Sequence, residues 1–200
     1  MVGESTLFLI QLEYELETRS WPSCGELMNN NDIVRRIRYA YDIKDADMIK
    51  IFGLGGLEIT KARYHEIMTQ QAKDTPRDEK LSRHELEQFM NGLIITQRGV
   101  KLADDGQPMA PNYSMKQDNQ INNVVFKKLK IAMQYTSEDI LGFMMEAGFT
   151  MSNAEITDIL RASTHKKYKI AGDQFLRKLL HGINLVQRPD TPKDEEIVSE

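Results

Sequence analysis

The feature that most constrains the fold is an internal duplication. Residues 30–68 align without gaps to residues 122–160, so that partners lie 92 positions apart throughout. Seven positions are identical: Asn30/Asn122, Asn31/Asn123, Ala40/Ala132, Asp47/Asp139, Gly56/Gly148, Ala62/Ala154 and Ile67/Ile159. Similarity at a fixed offset over this length indicates two copies of one structural unit. The chain is therefore expected to fold as a tandem repeat.

Each copy has the residue spacing of short helices. Apolar residues recur along one side of the first helix in both copies. This stripe comprises Ile33, Val34, Ile37, Ala40 and Tyr41 in the first copy, and Val125, Phe126, Leu129, Ala132 and Met133 in the second. Later helices begin at Ser82-x-x-Glu85, Thr136-x-x-Asp139 and Ser152-x-x-Glu155, where a hydroxyl followed by an acid is typical of a capped helix start. The pattern predicts an all-α protein with a small four-helix domain in each copy.

Composition and the limits of the repeat divide the chain into five segments. Residues 100–121 contain Asp104-Asp105-Gly106, Pro108 and Pro111, which predicts a flexible linker. Residues 189–200 hold five acidic residues and one basic residue, a balance typical of disorder. The predicted segments are an N-terminal extension at 1–27, helical repeat 1 at 28–99, the linker at 100–121, helical repeat 2 at 122–190 and an acidic disordered tail at 191–200.

The N-terminal extension has no counterpart in either copy, and two explanations are open. The segment is either an acidic helix or strand, or it is translated from a start upstream of the natural one. Met28 directly precedes the repeat, and a purine-rich ribosome-binding sequence can encode Gly25-Glu26. These two observations favour the upstream start.

The glycines of the two copies predict structure instead of chemistry. Gly53-Leu54-Gly55-Gly56 superficially suggests a phosphate-binding loop, but it lacks the Gly-Lys-Ser/Thr signature and follows a helix instead of a strand. We interpret it as a helix stop. Gly92 and Gly182 lie inside the fourth helix of each copy, where glycine costs about 1 kcal/mol relative to alanine. Their recurrence predicts a close approach between helices.

Several motifs, in the same order along the chain, resemble those of a bacterial family. They are Met28-Asn29-Asn30-Asn31-Asp32-Ile33, Arg35-Arg36-x-Arg38-Tyr39-Ala40, Phe89-x-Asn91-Gly92-Leu93-Ile94 with Arg98-Gly99, and Gly172-Asp173-Gln174-Phe175-Leu176-Arg177 with Arg188-Pro189-Asp190. Over about residues 28–190 the chain resembles the YehS-like proteins, domain of unknown function 1456 (DUF1456), in two tandem copies. The resemblance implies a duplicated helical domain in a bacterial, cytoplasmic protein, and it implies no activity.

The common catalytic and metal-binding patterns are not found in this sequence. The single cysteine, Cys24, lies outside both copies, so a Cys–His nucleophile is unsupported. The histidines lack the spacing of zinc or di-iron sites; they are His65, His84, His165 and His181. The longest apolar run, at residues 7–10, is too short to span a bilayer. We therefore predict a cytoplasmic protein that is not an enzyme, with no cofactor, no metal and no membrane partner.

Basic residues on the first helix of each copy predict a binding surface. Each copy has a basic triplet, Arg35, Arg36 and Arg38 in the first and Lys127, Lys128 and Lys130 in the second. Both triplets fall outside the apolar stripe, so they are expected to face solvent as a ridge. Two further lysines add positive charge in a predicted loop. The candidate contacts for nucleic acid or an acidic partner are Arg35, Arg36, Arg38, Lys127, Lys128, Lys130, Lys166 and Lys167. The alternative is an ordinary solvated helix face whose charges pair with Asp42, Asp45 and Asp47.

A helix-turn-helix through residues 138–160 is a weaker alternative. Its recognition helix would begin Ser152-Asn153-Ala154-Glu155, with an acid where base or phosphate contacts are needed. An ordinary helical hairpin is therefore favoured. The best carriers of an enzymatic activity would be four asparagines, Asn30, Asn31, Asn122 and Asn123, but these are expected to cap helix 1.

Two functions of different classes remain open. The first is a non-enzymatic protein-interaction or regulatory module that acts through an unknown protein partner or through self-association. The second is nucleic-acid binding through the basic ridge of helix 1 in each repeat. Retention on heparin, and its loss when the basic triplets are reversed in charge, would separate the two.

Overall fold

The computed structural model describes residues 28–69 and 79–189. Within these ranges it contains eight α-helices, one short 3₁₀ helix (Asp118–Gln120) and no β-strand. Repeat 1 comprises α1 (Asn30–Ala40), α2 (Asp45–Leu54), α3 (Lys61–Met68) and α4 (Arg83–Arg98); repeat 2 comprises α5 (Ile121–Met133), α6 (Ser137–Glu146), α7 (Asn153–Leu160) and α8 (Asp173–Gln187). The prediction of an all-α tandem repeat is confirmed. The predicted N-terminal extension at 1–27 and the acidic tail at 191–200 lie outside the described residues.

Local sequence determines where several helices begin. At the start of α4, the Ser82 hydroxyl accepts a hydrogen bond from the Glu85 amide at 3.2 Å, and the Glu85 carboxylate accepts one from the Ser82 amide at 2.8 Å. The same reciprocal bonds cap α6 and α7. Hydrogen bonds from the Thr136 and Ser152 amides hold the pKa of Asp139 and of Glu155 below their ordinary values. The three predicted helix starts are confirmed.

In each repeat the second and fourth helices cross at a contact that requires glycine. A Cβ atom on Gly92 would overlap the carbonyl oxygen of Ile51, and one on Gly182 would overlap the carbonyl oxygen of Phe143. Ile51 and Phe143 occupy the same position in the two copies. The close approach predicted from the recurring glycines is therefore confirmed, and it explains why both helices accept the cost of an internal glycine.

Two asparagines near the start of helix 1 tie it to the segment before helix 4. The Asn30 side-chain amide donates to the Leu81 carbonyl oxygen at 2.9 Å, and the Asn31 side-chain oxygen accepts from the Leu81 amide at 3.0 Å. Repeat 2 makes the same two bonds between Asn122, Asn123 and Ala171. The expectation that these asparagines cap helix 1 is wrong. Asn29 caps α1, while the buried asparagines satisfy the backbone N–H and C=O groups of a non-helical residue.

The two repeats pack against each other reciprocally. Helix α1 contacts α8, and α4 contacts α5, so helix 1 of each repeat lies against helix 4 of the other. The hydroxyl groups of Tyr41 and Tyr135, one from each repeat, lie 3.2 Å apart at this junction. Apolar residues of both repeats form one continuous buried cluster. Reciprocal contacts of this kind are those of a two-fold arrangement, here within a single chain.

The linker between the repeats is held against the helices, so its predicted flexibility is not confirmed. The amides of Ser114 and Met115 donate to the Glu87 carboxylate at 2.7 and 2.9 Å, and Met115 is 7% exposed. Leu102 and Pro108 form an isolated β-bridge around a turn at Gly106. The linker thus forms part of the surface over α4. Among the helices of residues 28–69 and 79–189, none has the length and hydrophobicity of a membrane span.

Candidate functional site

The basic residues of helix 1 do not form two solvent-exposed ridges, and that part of the prediction is wrong. Lys128 is only 5% exposed. In repeat 1, Arg35 and Arg36 are half-buried, and Arg38 pairs with Asp45 at 2.7 Å. Lys128 is covered because helix 1 of repeat 2 packs against helix 4 of repeat 1, where Glu87 and Asn91 lie. Arg35 and Arg38 are instead paired with acids of their own repeat. A pattern confined to one helix contains no information about these neighbours.

Lys128 forms a buried ion pair at the α4–α5 contact. Its ammonium nitrogen lies 3.3 Å from a carboxylate oxygen of Glu87, which is 2% exposed, and it also donates to the side chain of Asn91 and to the Asn112 carbonyl oxygen. Burial lowers the pKa of the Lys128 ammonium, and the Glu87 carboxylate opposes that shift. A buried pair of this kind is stable only when further hydrogen bonds satisfy both groups. The pair therefore fastens the linker to α4 and α5.

Two adjoining cavities lie on the same side of the molecule. The larger, of about 910 Å³, is bounded by α4, the linker, α5 and the loop after α7; the smaller, of about 550 Å³, meets it at Lys127, Ile131 and Leu160. We call the two together the cationic groove. In addition to the buried Lys128, its basic lining residues are Arg98, Lys101, Lys116, Lys127, Lys130 and Arg161. No Asp or Glu of the described residues lines either cavity, so the groove is electropositive.

The wall of the cationic groove is mainly apolar. Its aliphatic lining includes Ile94, Ile95, Val100, Met109, Val124, Ile131, Ile159 and Leu160, and its aromatic residues are Tyr113 and Tyr168. Several of these large side chains are unusually exposed: Val100 (50%), Met109 (44%), Tyr113 (41%) and Ile131 (44%). A contiguous exposed apolar surface marks an interaction site more often than a single exposed side chain does.

The positive charge of Lys127 is available because its surroundings differ from those of its counterpart in repeat 1. Arg35, at the equivalent position, pairs with Asp32 and donates to the Thr69 carbonyl oxygen at 2.9 Å. In repeat 2 the residue equivalent to Asp32 is Val124. Lys127 is exposed and forms no ion pair with the described residues.

Arg98 differs from its counterpart Arg188 in the same way. The Arg188 guanidinium lies over the Tyr39 ring, 4.7 Å from its centroid, and donates to the Tyr39 carbonyl oxygen at 2.8 Å. The residue equivalent to Tyr39 is Ile131, which lines the groove beside Arg98. Arg98 is exposed and has no acidic partner among the described residues.

A third difference removes an acid near Arg98. Asp42 and Gln134 occupy the same left-handed backbone position in the two copies, with φ of 48° and 59°. An Asp42 carboxylate oxygen lies 3.9 Å from Arg188, whereas the amide of Gln134 carries no charge. Compared with the α1–α8 side, the α4–α5 side therefore lacks two acids and one aromatic ring. Val124, Ile131 and Gln134 stand where repeat 1 has Asp32, Tyr39 and Asp42.

The structure brings together some of the predicted contact residues and separates others. Lys127 and Lys130 line the cationic groove, and Lys166 and Lys167 are exposed in the loop after α7. Sequence reasoning missed Arg98, Lys101 and Lys116, which come from α4 and the linker. Position-by-position comparison of the copies shows the loss of acids in repeat 2, and this signal would have identified Lys127 as unpaired.

The geometry also bears on the other sequence-based alternatives. The connection between α6 and α7 spans residues 147–152, longer than the three to four residues of a helix-turn-helix. The first turn of α7 carries Glu155, whose carboxylate accepts a hydrogen bond from the Ser152 amide.

In residues 28–69 and 79–189, no group of three or more His, Cys, Asp or Glu side chains is arranged to hold a metal ion.

Comparison with known proteins gives the same duplicated architecture. The model of a family described as "Protein of unknown function (DUF1456)" matches residues 30–99 and, again, residues 122–188. The chain belongs to the DUF1456 family. It is also 34% identical over 157 residues to "Uncharacterized protein YehS" of Escherichia coli strain K12, a match that covers 78% of this chain and 94% of that protein. No solved structure matches the chain. The cationic groove thus lies where two DUF1456 segments meet.

Proposed function

We propose that the chain is a non-enzymatic, cytoplasmic interaction module that binds an acidic polypeptide segment carrying apolar side chains. The binding site is the cationic groove. One observation carries the proposal: basic side chains surround an aliphatic wall, and no carboxylate of the described residues lines it. Acidic side chains of a partner would pair with the basic residues, and its apolar side chains would fill the wall between them.

Charge and apolar contact have different parts in this proposal. Arg98 and Lys127 have no acidic partner among the described residues, so a ligand carboxylate displaces no internal ion pair. Each exposed pair contributes only about 0.2–1 kcal/mol, whereas burial of apolar surface contributes roughly 25 cal/mol per Å². The basic residues would therefore select acidic partners, and the aliphatic wall would supply most of the affinity.

Nucleic-acid binding is the second candidate, and the aromatic residues of the groove favour it. Tyr113 and Tyr168 line the larger cavity together with lysines, and proteins that bind single strands combine stacking aromatics with a basic groove. The mainly aliphatic wall favours a polypeptide instead. The contacts in this case would be Arg98, Lys101, Lys116, Lys127 and Lys130, not a ridge on helix 1 of each repeat.

Fluorescence anisotropy with a labelled peptide in which Glu and Leu alternate tests the proposal. We expect a dissociation constant of about 10 µM, or a binding free energy of roughly −7 kcal/mol, that weakens as salt is added. The variant Arg98→Glu/Lys127→Glu should bind at least about tenfold more weakly, a loss of 1.4 kcal/mol or more. A peptide in which Lys and Leu alternate should not bind.

The matched control reverses two charges elsewhere in repeat 1. Lys50 and Lys61 are exposed and do not line the groove, so Lys50→Glu/Lys61→Glu makes the same change in net charge. Equal binding by the two variants would contradict the proposal. The native chain could instead fail to bind the peptide but bind a labelled single-stranded oligonucleotide. If Arg98→Glu/Lys127→Glu then loses that binding and Lys50→Glu/Lys61→Glu keeps it, nucleic-acid binding replaces peptide binding as the proposed function.

A further inference from the structure

We propose that the acidic segment at residues 190–200 of the same chain competes for the cationic groove and so regulates access to it. This inference rests on the proposed function, because it concerns the same binding site. Five of these eleven residues are acidic and one is basic, and the sequence Asp194-Glu195-Glu196-Ile197-Val198 places three acids directly before two branched apolar residues. That is the side-chain chemistry expected of a ligand for the groove.

The last described helix ends beside the groove. The Gln187 side-chain amide donates to the Tyr135 hydroxyl at 3.0 Å, and Tyr135 lines the smaller cavity together with Arg98 and Lys127. Arg188 is held in place by its hydrogen bond to the Tyr39 carbonyl oxygen and by its position over the Tyr39 ring. The point from which the acidic segment continues is therefore set by the tertiary structure.

The acidic residues are within reach of the groove from that point. An extended chain advances roughly 3.3 Å per residue, so the five steps from Pro189 to Asp194 span up to about 17 Å. Along α5 the larger cavity extends from Ile131 to Asn123, and those eight steps correspond to about 12 Å of helix. Residues 194–198 can therefore reach either cavity without a change in the repeats.

Charge favours the α4–α5 side over the opposite side. Beside Arg188, the α1–α8 side already carries the Asp42 carboxylate, which repels an acidic segment and neutralises the basic charge. The equivalent residue beside Arg98 is the uncharged Gln134. An acidic segment that leaves α8 between the two sides is therefore attracted to the cationic groove.

Attachment to the same chain makes weak binding sufficient for competition. A short tether gives an effective concentration on the order of 1 mM. If the free segment binds with a dissociation constant of about 100 µM, the attached one occupies the groove most of the time. A partner peptide must then bind about tenfold more tightly to reach the same occupancy.

Anisotropy with the alternating Glu and Leu peptide, applied to the full chain, tests the inference. The variant Asp194→Asn/Glu195→Gln/Glu196→Gln should bind the peptide about tenfold more tightly than the native chain at low salt. The matched control, Glu58→Gln/Glu66→Gln/Glu146→Gln, neutralises three exposed acids that do not line the groove. It should bind as the native chain does. In the native chain, carbodiimide should cross-link Glu195 or Glu196 to Lys127, and an excess of the peptide should suppress that cross-link.

The outcomes separate this inference from the proposed function. If all three chains bind the peptide equally and no intramolecular cross-link forms, the inference is overturned and the proposed function stands. If neither the native chain nor the tail variant binds the peptide, the proposed function falls, and the inference falls with it.

Discussion

The two contacts between the repeats use equivalent helices but differ in chemistry. On the α1–α8 side, Arg188 lies against Tyr39 and near the Asp42 carboxylate. On the α4–α5 side, the equivalent Arg98 adjoins Ile131 and has no acidic partner in the described parts of the chain. The α4–α5 side also has a buried Lys–Glu pair beneath the linker and the cationic groove beside it.

This difference shows how the two contacts of a duplicated domain become chemically distinct. Two identical copies would present two identical contacts, related by the pseudo-two-fold arrangement. The copies have retained the residues that define the helices and their crossing, and they have diverged at positions that pair or release a charge. A function of the whole chain is therefore best sought on the side where the copies differ.

The largest effect is expected at the buried Lys128–Glu87 ion pair of the α4–α5 contact. Glu87→Ala leaves the Lys128 ammonium buried without its carboxylate, and it also removes the acceptor for two linker amides. The free energy of unfolding should fall by about 3–5 kcal/mol, as measured by urea denaturation.

The control for that prediction breaks an exposed pair. Asp47→Ala removes the partner of Lys50, 2.9 Å away on the surface of α2, and should cost less than about 1 kcal/mol. Glu87→Leu/Lys128→Met should restore the part of the lost stability that comes from the unpaired ammonium, because an apolar pair of similar volume needs no compensating charge. The part that comes from the linker amides, which still lack their acceptor, should remain lost. A cost for Glu87→Ala as small as that of the control would show that the pair does not hold this contact together.

An intermediate effect is expected where the copies are alike. Gly92→Ala and Gly182→Ala should each lower the free energy of unfolding by about 1–3 kcal/mol, because the added methyl group overlaps a backbone carbonyl. Gly142→Ala in α6 meets no atom within 4 Å and should instead stabilise the protein by about 1 kcal/mol. Denaturant titration of the three variants measures the contrast. Stabilisation by all three would mean that the helices do not cross at these glycines.

The smallest effect on stability is expected when the chemistry of one side is transferred to the other. Ile131→Tyr/Gln134→Asp supplies Arg98 with the ring and the carboxylate that Arg188 already has. We expect stabilisation of about 0.5–1 kcal/mol in thermal denaturation. The Glu and Leu peptide should bind this variant more weakly than the native chain, because Arg98 becomes paired and part of the groove is filled. Unchanged affinity would separate the peptide site from the difference between the two sides.

Much of the fold can be predicted from local sequence, and the reasons are visible in particular residues. Ser82, Thr136 and Ser152 cap helices through bonds to residues three positions later, so the signal and its effect lie together in the chain. Recurrence of Gly92 at Gly182 predicts the helix crossing. The prediction that the asparagines of helix 1 cap that helix is wrong, because their partners, Leu81 in repeat 1 and Ala171 in repeat 2, lie about fifty residues away.

The site is less predictable than the fold, because it depends on what packs beside each charge. Lys127 and Lys128 are adjacent in sequence, yet Lys127 is exposed, whereas Lys128 is buried with only 5% of its surface exposed. Their environments are set by α4 and by the linker, which reach α5 only in the folded chain. Arg98 joins Lys127 at the groove for the same reason.

The sequence by itself determined the helices, the duplication and the family. The helices follow from short-range residue spacing, and the duplication and the family follow from similarity between aligned positions. Only the tertiary structure decided that helix 1 of each repeat lies against helix 4 of the other. That packing covers Lys128, leaves Lys127 and Arg98 exposed and holds the linker in place. The physical reason is that the exposure and pairing of a charge depend on neighbours from distant parts of the chain, which a pattern along one helix does not contain.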